Sequence, residues 1–434
     1  MKLSRFNVWS KYNKGLILFN TLTNALSFFQ KKYTIKMIDV FTNQNIKNIP
    51  EEFLNAMVED GYIIDKNCDE LEIILNACKE RQQRKNECSL CINLNSVCNF
   101  KCFYCFQKHT NEFLSQKEIK KILKMFKILT STVNNIAVDW FGGEPLISFQ
   151  TLQNLNNELI TIAKKNNTEY TYSITTNGYL LNDVAINYFK STPLSLITIT
   201  LDGPPDIHNK SRPLKNDGDT FWTILDNIQL AVANGLKISI RVNMTSLNIH
   251  RIPELYNILE KGGLKNKVEI NLQSVFSSPM NPCEKYCLSN PRFAHYSIKN
   301  YKYAAKKGWI IFPPENELRV LGFCTGEYPN HFITDLNSNL YRCGQMINSD
   351  SLGKIDENGN IFLEKEKNDL WIKKNPLNFS ECKNCSVLPL CMGGCNMKRS
   401  IKNADYCLSW KYNIKGLLEL LLLNEKNIYL KENF

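Results

Sequence analysis

The chain has 434 residues, more than a single hydrophobic core usually accommodates, so its length predicts two or three domains. Hydrophobic residues make up 43% of it and charged residues 22%, a balance that excludes a disordered or low-complexity protein. The net charge is +11, but the 53 Lys and Arg residues are scattered among 42 acidic ones and form no recognisable nucleic-acid motif, so we expect no nucleic-acid partner.

Neither end of the chain predicts export or membrane insertion. The positively charged N-terminus is not followed by the apolar stretch of a secretory signal. The longest apolar run, residues 416–424, is too short to span a bilayer and contains Glu419. We therefore expect a soluble, cytoplasmic protein with no membrane partner. In a reducing cytosol, grouped cysteines hold metal more often than they form disulfides, which bears on the 16 cysteines of this chain.

The first section, residues 1–85, is predicted to form a small α+β module. Residues 15–23, GLILFNTLT, have the character of a β-strand. A helix is predicted to start at Pro50, because proline suits the first turn of a helix, and Glu51 and Glu52 suit the positive end of the helix dipole.

The second section, residues 86–290, alternates β-rich runs with amphipathic stretches. One such stretch, residues 115–129, repeats apolar residues at three- and four-residue steps and predicts a helix. Six β-then-α units imply a parallel sheet, either an open doubly wound sheet or a partial barrel. In both folds the chemistry gathers at the carboxyl ends of the strands. The predicted strands are residues 91–95, 135–141, 170–176, 196–202, 237–243 and 268–275.

A cysteine motif follows the first of these strands. Cys98, Cys102 and Cys105 have the spacing C-x3-C-x2-C, which chance would produce only about 0.02 times in a chain of this composition. Three thiolates can hold three irons of a 4Fe-4S cluster and leave the fourth iron open to another ligand. The alternative is a structural zinc site, closed by His109 as the fourth ligand.

With the aromatic Tyr104 before the last cysteine, this segment resembles the cluster loop of the radical S-adenosylmethionine (SAM) enzymes. The resemblance implies a partial (β/α)6 barrel of radical SAM type. It also implies that the amino and carboxylate groups of SAM chelate the open iron, and that electron transfer cleaves SAM to a 5'-deoxyadenosyl radical. That radical abstracts a hydrogen atom from the substrate, so the cofactor carries the difficult chemistry.

Further residues resemble the SAM-binding positions of the family. The segment DWFGGEP, after the second strand, resembles the one that receives the SAM amino group. The third and fourth strands end in TTNG and in TLDGPPDIHNKSR. By resemblance to related maturases, Thr200 and Arg212 are expected at the ribose and carboxylate of SAM, and Leu272 at its adenine. The cofactor-binding residues expected from the resemblance are Tyr104, Gly142, Gly143, Glu144, Pro145, Thr200, Arg212 and Leu272.

A second cysteine field lies in residues 291–410 and precedes a predicted C-terminal helix, residues 411–434. From Cys382 it runs C-x2-C-x5-C-x3-C, and it resembles the SPASM extension of radical SAM maturases, which holds two auxiliary iron-sulfur clusters. A zinc ribbon formed by the first four of these cysteines is the alternative. The resemblance implies an outer cluster on Cys382, Cys385, Cys391 and Cys407, and an inner cluster on Cys324, Cys343 and Cys395.

The sequence departs from the SPASM pattern in two respects. Ser338 stands where the family often has glycine, five residues before Cys343, which weakens a turn without removing a ligand. The inner cluster also has three evident ligands instead of four. The fourth is Cys283 or Cys287, or is absent, or is left for a substrate thiol, and the last arrangement suits thioether formation.

Four cysteines remain upstream of the cluster loop. Cys88 and Cys91 form a C-x2-C pair, which is read either as small apolar residues at the entry of a strand or as a metal or redox pair. The other two are Cys68 and Cys78.

SPASM-bearing members commonly modify peptides or proteins, so we expect a peptide maturase that joins a Cys sulfur to a carbon of another residue. Anaerobic sulfatase maturases have a catalytic Asp after the second SPASM cysteine, whereas this chain has Gly344. Carbon-carbon crosslinking, epimerisation and sulfatase maturation are the alternatives within the class. A non-catalytic iron-sulfur carrier or redox sensor and a zinc-binding interaction protein are the alternatives outside it.

Residues 1–85 resemble the leader-recognition region of ribosomal peptide maturases, in which a precursor's leader adds as a strand to an exposed edge. A packing subdomain is the other reading. The expected partners are a ribosomal precursor peptide and a reductant such as flavodoxin or ferredoxin.

Overall fold

The computed structural model describes residues 1–275, 277, 283–311, 319–347, 349–401 and 404–432. They fall into two compact units that are each built from separate chain segments. Unit 1 comprises Met1–Arg81, Asn290–Cys324 and Lys374–Phe434, and unit 2 comprises Gln82–Ser289 and Thr325–Lys373. The predicted boundaries at residues 86, 291 and 411 stay a prediction.

The described residues contain fifteen strands and fifteen α-helices. The strands are β1 Lys2–Leu3, β2 Asn7–Tyr12, β3 Gly15–Asn20, β4 Leu26–Phe29, β5 Ile63–Ile64, β6 Glu87–Asn93, β7 Asn135–Phe141, β8 Glu169–Thr176, β9 Leu194–Thr200, β10 Ile238–Met244, β11 Glu269–Ser274, β12 His331–Thr334, β13 Asn339–Tyr341, β14 Gly353–Ile355 and β15 Ile361–Leu363. The helices are α1 Lys31–Asn43, α2 Glu51–Glu59, α3 Glu70–Gln83, α4 Gln116–Thr130, α5 Phe149–Lys165, α6 Asp183–Lys190, α7 Pro205–Ser211, α8 Phe221–Ala233, α9 Ile252–Lys261, α10 Asn290–Lys306, α11 Lys365–Ile372, α12 Ser380–Lys383, α13 Leu388–Cys391, α14 Asn396–Arg399 and α15 Ile414–Glu432.

Unit 2 is built on a ten-stranded sheet with the order β11-β10-β9-β8-β7-β6-β12-β13-β14-β15. The six strands β6 to β11 are adjacent in chain order and parallel, with helices α4 to α9 in the connections between them. The predicted parallel α/β sheet of six strands is therefore confirmed, and the loops that follow these strands meet at one edge.

Strand β8 explains why these segments form a sheet. Alternate residues Tyr170, Tyr172, Ile174 and Thr176 are buried, whereas the residues between them are partly exposed on the other face. This two-residue period lets one face of the sheet pack against helices while the opposite face presents polar side chains.

Helix α4 covers part of the buried face and matches the predicted helix closely. Ser115 is its N-cap, with the Ser115 hydroxyl accepting a hydrogen bond from the backbone N–H of Glu118. The buried side chains recur at three- and four-residue steps and place one apolar stripe against the sheet. They include Ile119, Ile122, Met125, Phe126 and Leu129.

Strand β12 was not identified from the sequence. It pairs in parallel with β6, with His331 opposite Ser89 and Thr334 opposite Ile92, and it begins an antiparallel meander through β13, β14 and β15. Part of the predicted SPASM section thus extends the same sheet as the six β/α strands.

Unit 1 contains a three-stranded antiparallel sheet, β2-β3-β4, and a short β1-β5 pair. Strand β3 lies within the predicted strand of residues 15–23, and α2 begins at Glu51 directly after Pro50, as predicted. Both the strand and the helix bury residues in one core, which includes Leu16, Leu18 and Met57. Among the described helices, none combines the length and the apolar character that crossing a bilayer requires.

Candidate functional site

The three cysteines of the loop after β6 line a cavity of about 300 Å³ in unit 2. The other residues of the cavity come from the carboxyl ends of β7 to β11 and from the segment after β13, so the parallel sheet brings distant parts of the chain together. The lining includes Cys98, Cys102, Tyr104, Cys105, Phe141, Gly142, Gly143, Glu144, Thr175, Asn177, Thr200, Arg212, Arg241, Asn243, Val275, Cys343 and Gly344.

The segment Gly142 to Pro145 is hydrogen-bonded directly to the cysteine loop. The Gly143 N–H donates to the Asn95 carbonyl at 2.9 Å, and the Glu144 N–H donates to the Val97 carbonyl at 2.8 Å. A Cβ atom on Gly143 would lie 2.3 Å from the Val97 carbonyl oxygen, far inside van der Waals contact. Glycine at position 143 is therefore required by the close approach of two backbones.

Glu144 is buried beneath this contact. Its carboxylate accepts hydrogen bonds from the Thr176 hydroxyl at 2.6 Å, from the Asn177 N–H at 2.7 Å and from the Leu146 N–H at 3.0 Å. Burial raises the pKa of Glu144, and these bonds oppose the rise. The carboxylate thus ties the end of β8 to the segment after β7.

Tyr104 anchors the cysteine loop from the opposite side. Its hydroxyl donates to Asp202, and it accepts from the Arg212 guanidinium at 2.7 Å and from the Asn243 amide at 3.1 Å. Asp202 is fully buried and also accepts from the Asn243 N–H at 2.8 Å. The loop is therefore fixed to the ends of β9 and β10 and to the C-terminus of α7 by one buried polar network.

The network contains opposite charges that partly balance each other. Burial raises the pKa of Asp202, while the positive charge of Arg212 opposes that rise. The Asn248 amide donates to the Asp202 carbonyl at 2.7 Å, and the Asp202 N–H donates to His208 Nδ1 at 3.1 Å. Every polar group of Asp202 is thus engaged, which is what a buried carboxylate requires.

Most residues predicted to bind SAM lie together in the cavity. Thr200 and Arg212 line it, as do Tyr104 and the Gly142 to Glu144 segment. Leu272 does not line the cavity. Its neighbour on β11, Asn271, is in register with Arg241, which lines the cavity, so Asn271 lies on the cavity face of the sheet. Leu272 therefore lies on the opposite, buried face, where it pairs with Val242. The structure thus brings together the predicted residues of the loops after β6, β7 and β9 but leaves Pro145 and Leu272 outside the cavity lining.

The three thiols of the loop must lose their protons before they can bind a metal. Burial raises the pKa of Cys98 to about 11 and that of Cys102 to about 12, and it also raises the pKa of Cys105. Metal ligation requires thiolates, so a bound metal would have to supply the energy of deprotonation. The Arg212 charge lowers the pKa of all three thiols and favours the thiolates.

His109, the alternative fourth ligand, lies near one thiol. Its Nε2 atom is 3.3 Å from the Cys105 sulfur, and its Nδ1 atom is 3.1 Å from the Ser96 carbonyl oxygen. Burial lowers the pKa of His109. Within the described ranges, no group of three or more His, Cys, Asp or Glu side chains surrounds a position for a single metal ion. This finding concerns single ions and does not bear on a cluster of several irons.

In unit 1, four cysteines of the second field influence one another electrostatically. The neighbouring thiols Cys382, Cys385 and Cys407 raise the pKa of Cys391, though burial is the larger cause, and that pKa is about 11. Two cations stand beside them: Arg399 donates to the Cys382 sulfur at 3.1 Å and Lys411 to the Cys407 sulfur at 3.3 Å. The chemistry of this set, four thiols with two cations, fits an anionic iron-sulfur cluster.

The other predicted ligands are divided between the units. Cys324 and Cys395 belong to unit 1 and Cys343 to unit 2, where Cys343 lines the cavity. Cys283 and Cys287, the candidates for the missing ligand, lie in unit 2 with their sulfur atoms 3.3 Å apart. Their role stays a prediction.

Ser338 adopts the left-handed backbone conformation, with φ of 62°. This explains why glycine is common at that position, since a side chain costs energy there. The Ser338 hydroxyl bonds to the carboxylate of Glu118 on α4, a contact that glycine would lack.

Sequence reasoning missed Asp202, Arg241 and Asn243. The strand KISIRVN carries polar residues at alternate positions, Ser239, Arg241 and Asn243, and that period was the available signal for side chains on the cavity face.

A second group that the sequence analysis missed lies on the same face of the sheet. Asp139 is flanked in register by Cys91 and Ser173 on the neighbouring strands. The Ser173 hydroxyl donates to Asp139 at 2.8 Å, and the Cys91 sulfur lies 4.0 Å from the carboxylate. Burial raises the pKa of Asp139 to about 6. Cys91, one half of the predicted C-x2-C pair, thus faces a carboxyl group, whereas Cys88 is buried on the other face.

Comparison with known proteins agrees with this geometry. Residues 92–259 match the model of the radical SAM superfamily, the range that contains the cysteine loop and strands β7 to β10. The protein carries a radical SAM domain. Enzymes of this superfamily use a 4Fe-4S cluster and SAM.

Relatives of this chain extend the likeness beyond that domain. The cysteine-type anaerobic sulfatase-maturating enzyme of Clostridium novyi is 26% identical over 370 residues, which cover 73% of this chain and 91% of that protein. The solved structure of native anSMEcpe with bound AdoMet and the Kp18Cys peptide matches with a TM-score of 0.63 and 19% identity, covering 80% of this chain and all of that one. Streptococcus suis SuiB bound to its precursor peptide SuiA matches with a TM-score of 0.51 and 17% identity, covering 93% of this chain and 98% of that one.

Replacing Gly143 with alanine is expected to damage the cluster site. The added Cβ at 2.3 Å from the Val97 carbonyl must push the cysteine loop away, at a cost of about 1–3 kcal/mol in stability. After anaerobic reconstitution, Gly143→Ala should lose the iron of one cluster, measured by iron analysis. Gly344→Ala is the matched control, because no atom lies within 4 Å of its added Cβ, and it should keep its iron. Equal iron in the two variants would contradict the proposed contact.

Asp139 is expected to make stability depend on pH. With a folded pKa of about 6 against an ordinary value of 3.8, the folded protein retains a proton that the unfolded chain releases. Its contribution to stability is therefore present below about pH 4 and is lost as pH rises to about 6, by about 3 kcal/mol at most. Denaturant unfolding at pH 4 to 7 should show the stability of the wild type falling relative to Asp139→Asn. A difference that stays constant with pH would refute this assignment.

Proposed function

We propose that this protein is a radical SAM maturase that cleaves SAM reductively and joins a Cys sulfur to a carbon of another residue in a ribosomal precursor peptide. The observation that carries the proposal is that Cys98, Cys102 and Cys105 share one cavity with the Gly142 to Glu144 segment, Thr200 and Arg212. The first three supply thiol ligands, and the others supply backbone, hydroxyl and guanidinium groups suited to a zwitterionic ligand.

In this proposal the three loop cysteines hold a 4Fe-4S cluster. SAM is received by Tyr104, by the segment Gly142 to Pro145, by Thr200 and by Arg212, whereas Leu272, on the opposite, buried face of β11, is left out of this set. Arg212 suits the carboxylate of SAM because its guanidinium donates from one nitrogen to Tyr104 and has further N–H donors. When bound, the cluster and SAM supply reductive cleavage of the sulfonium and abstraction of a hydrogen atom.

The contribution of the chain's own residues is to hold and orient. Tyr104, Asp202 and Asn243 fix the cysteine loop at the ends of the strands, and Gly143 keeps the segment after β7 against it. Fixing the reactants in this way lowers the entropic cost of bringing them together.

The second cysteine field supports a maturase of the SPASM type. We propose that Cys382, Cys385, Cys391 and Cys407 hold an outer auxiliary cluster, consistent with the electrostatic effect of the other three thiols on Cys391 and with Arg399 and Lys411 beside them. Cys324, Cys343 and Cys395 are the proposed ligands of the inner one. Three protein ligands leave one iron for the thiol of a substrate cysteine, which favours thioether formation.

Several observations support a peptide as the substrate. The matching structures include one solved with the Kp18Cys peptide and one with the precursor peptide SuiA. Sulfatase-type chemistry is less well supported, because Gly344, with open space where its side chain would be, follows Cys343 in place of the catalytic aspartate of that class. Carbon-carbon crosslinking and epimerisation are the remaining alternatives in this class.

The N-terminal module offers a place for the leader of such a peptide. Strand β4 lies at the edge of its sheet, and a cavity of about 440 Å³ adjoins it. An extended segment can add to an unpaired strand edge through backbone hydrogen bonds, while pockets beside the edge select side chains. The cavity is lined mainly by aromatic and apolar residues, including Phe28, Phe29, Tyr33, Phe53, Ala56 and Met57.

Reductive cleavage of SAM requires an electron donor, and we propose a flavodoxin or ferredoxin for this role. The second candidate function is an iron-sulfur electron carrier, which would also need the thiol clusters. The Gly142 to Glu144 segment and Arg212 in the same cavity favour the enzyme, because a carrier has no use for a SAM-sized cavity beside its cluster.

Anaerobically reconstituted protein is expected to convert SAM to 5'-deoxyadenosine when dithionite is added, as measured by liquid chromatography. The triple variant Cys98→Ala, Cys102→Ala and Cys105→Ala should form none, while it keeps the iron of the second cysteine field. Cys68→Ala, a cysteine outside the cavity, is the control and should be fully active. If the protein carries its full complement of iron but leaves SAM intact, the result would favour the electron carrier and contradict the enzyme proposal.

The leader proposal predicts that Phe28→Asp weakens binding of the precursor, about 10-fold or more, because a charge replaces an aromatic side chain beside the β4 edge. The precursor is to be sought among short Cys-containing open reading frames beside this gene, and its binding is measured by fluorescence anisotropy. Ile35→Asp is the control, since Ile35 is 85% exposed and lies outside the cavity.

In the thioether reaction the product peptide should lose the mass of two hydrogen atoms, whereas an epimerised peptide keeps its mass.

A further inference from the structure

Arg241 is a cation on the cavity face of β10 to which the sequence analysis gave no role. Its side chain lines the cavity together with Arg212, and its register partners are Thr200 on β9 and Asn271 on β11. Among the described residues, its side chain makes one hydrogen bond, from Nε to the Asn243 amide oxygen at 3.0 Å.

Most of the hydrogen-bonding capacity of Arg241 is therefore unused. A guanidinium carries five N–H donors in a planar fork, and Arg241 uses one of them. No carboxylate forms an ion pair with it among the described residues, in contrast to Arg251 at the surface, which pairs with Asp206 and Glu254. Leaving a guanidinium unpaired in an enclosed site is costly unless a ligand brings the opposite charge.

The hydrogen bond to Asn243 shows which part of the cavity the guanidinium reaches. Asn243 lies two residues further along β10, and its amide nitrogen donates to the Tyr104 hydroxyl at 3.1 Å. Tyr104 stands between Cys102 and Cys105. The fork of Arg241 is thus held one hydrogen-bonded residue away from the cysteine loop, beside the groups that surround the cluster position.

The charges around this position agree with a site for an anion. Burial lowers the pKa of Arg241, Tyr104 and Asp202 oppose that lowering, and the positive charge of Arg212 adds to it. Asp202 is already engaged by Tyr104 and Asn243, so it provides a background charge but no hydrogen bond to Arg241. Two guanidinium groups therefore face one cavity, and the nearby carboxylates, Asp202 and the lining residue Glu144, accept hydrogen bonds from other donors.

We propose that Arg241 binds the carboxylate of SAM, acting with Arg212 as a second guanidinium at that group. This inference rests on the proposed function, because it assumes that SAM docks at the cysteine loop. The planar fork of Arg241 suits a carboxylate, which accepts two parallel N–H bonds. A carboxylate of the peptide substrate has the same chemistry, and measurements made without peptide separate the two sources.

The test compares SAM with its decarboxylated analogue, S-adenosyl-3-(methylthio)propylamine. Equilibrium dialysis of the anaerobically reconstituted protein, in the absence of peptide and reductant, gives the Kd of each ligand. Arg241→Gln should raise the Kd of SAM about 10- to 100-fold and leave that of the analogue within about threefold. Arg241→Lys, which keeps the charge but loses the fork, should recover part of the affinity for SAM.

Arg251→Gln is the matched control, because it removes a guanidinium that lies at the surface outside the cavity. Iron content and circular dichroism show whether each variant is folded and loaded, and Arg241→Lys serves if Arg241→Gln is not. A Kd of SAM that stays within threefold, or an equal loss of affinity for both ligands, would overturn the inference. Failure of the wild-type protein to bind SAM at all would instead overturn the proposed function.

Discussion

The close approach of two backbones holds this site together. The chain after β6 and the chain after β7 run against each other at Asn95, Val97, Gly143 and Glu144, through hydrogen bonds of 2.8 and 2.9 Å. No side chain fits between them at position 143. Because the three cysteines lie immediately beyond this contact, their position relative to the sheet is set by main-chain geometry, which is stiffer than any pair of side chains.

The Tyr104 network supplies the second constraint, at a different physical cost. Main-chain bonds at Gly143 need no charge, whereas the network buries Asp202 and Arg212 and must satisfy both. Such networks are most stable when each polar group has a partner; here both carboxylate oxygens of Asp202 have one, whereas Arg212 Nε is buried without one among the described residues. The arrangement links the cysteine loop to Arg212, so the thiols and the group that we propose for the SAM carboxylate are positioned by the same hydrogen bonds. Alignment of metal and ligand is therefore a property of the folded chain before either binds.

The sequence predicted the local features of this fold well. The strand of residues 135–141 and the helix after Ser115 agree with the structure to within a residue, because two-residue and 3.6-residue periods are strong in those segments. Strand β12 has only four residues, all of them buried, so it shows no alternating pattern. Its pairing with β6 joins positions about 240 residues apart, which a local sequence pattern does not predict. Arg241 was missed for a related reason: its significance lies in its neighbours across β9 and β11, which the sequence does not bring together.

The parallel pairing of β12 with β6 bears on how the cysteine-rich part of the chain is joined to the rest. If the polypeptide were cut after residue 290, the outer edge of β6 would present a row of unsatisfied amides and carbonyls, and Ser89 and Cys91 would lose the neighbours that cover them. Bare edges of that kind recruit other strands and lead to aggregation. The parallel sheet of this chain consequently needs the C-terminal third of the chain to cover its β6 edge, and a fragment truncated after residue 290 is expected to aggregate.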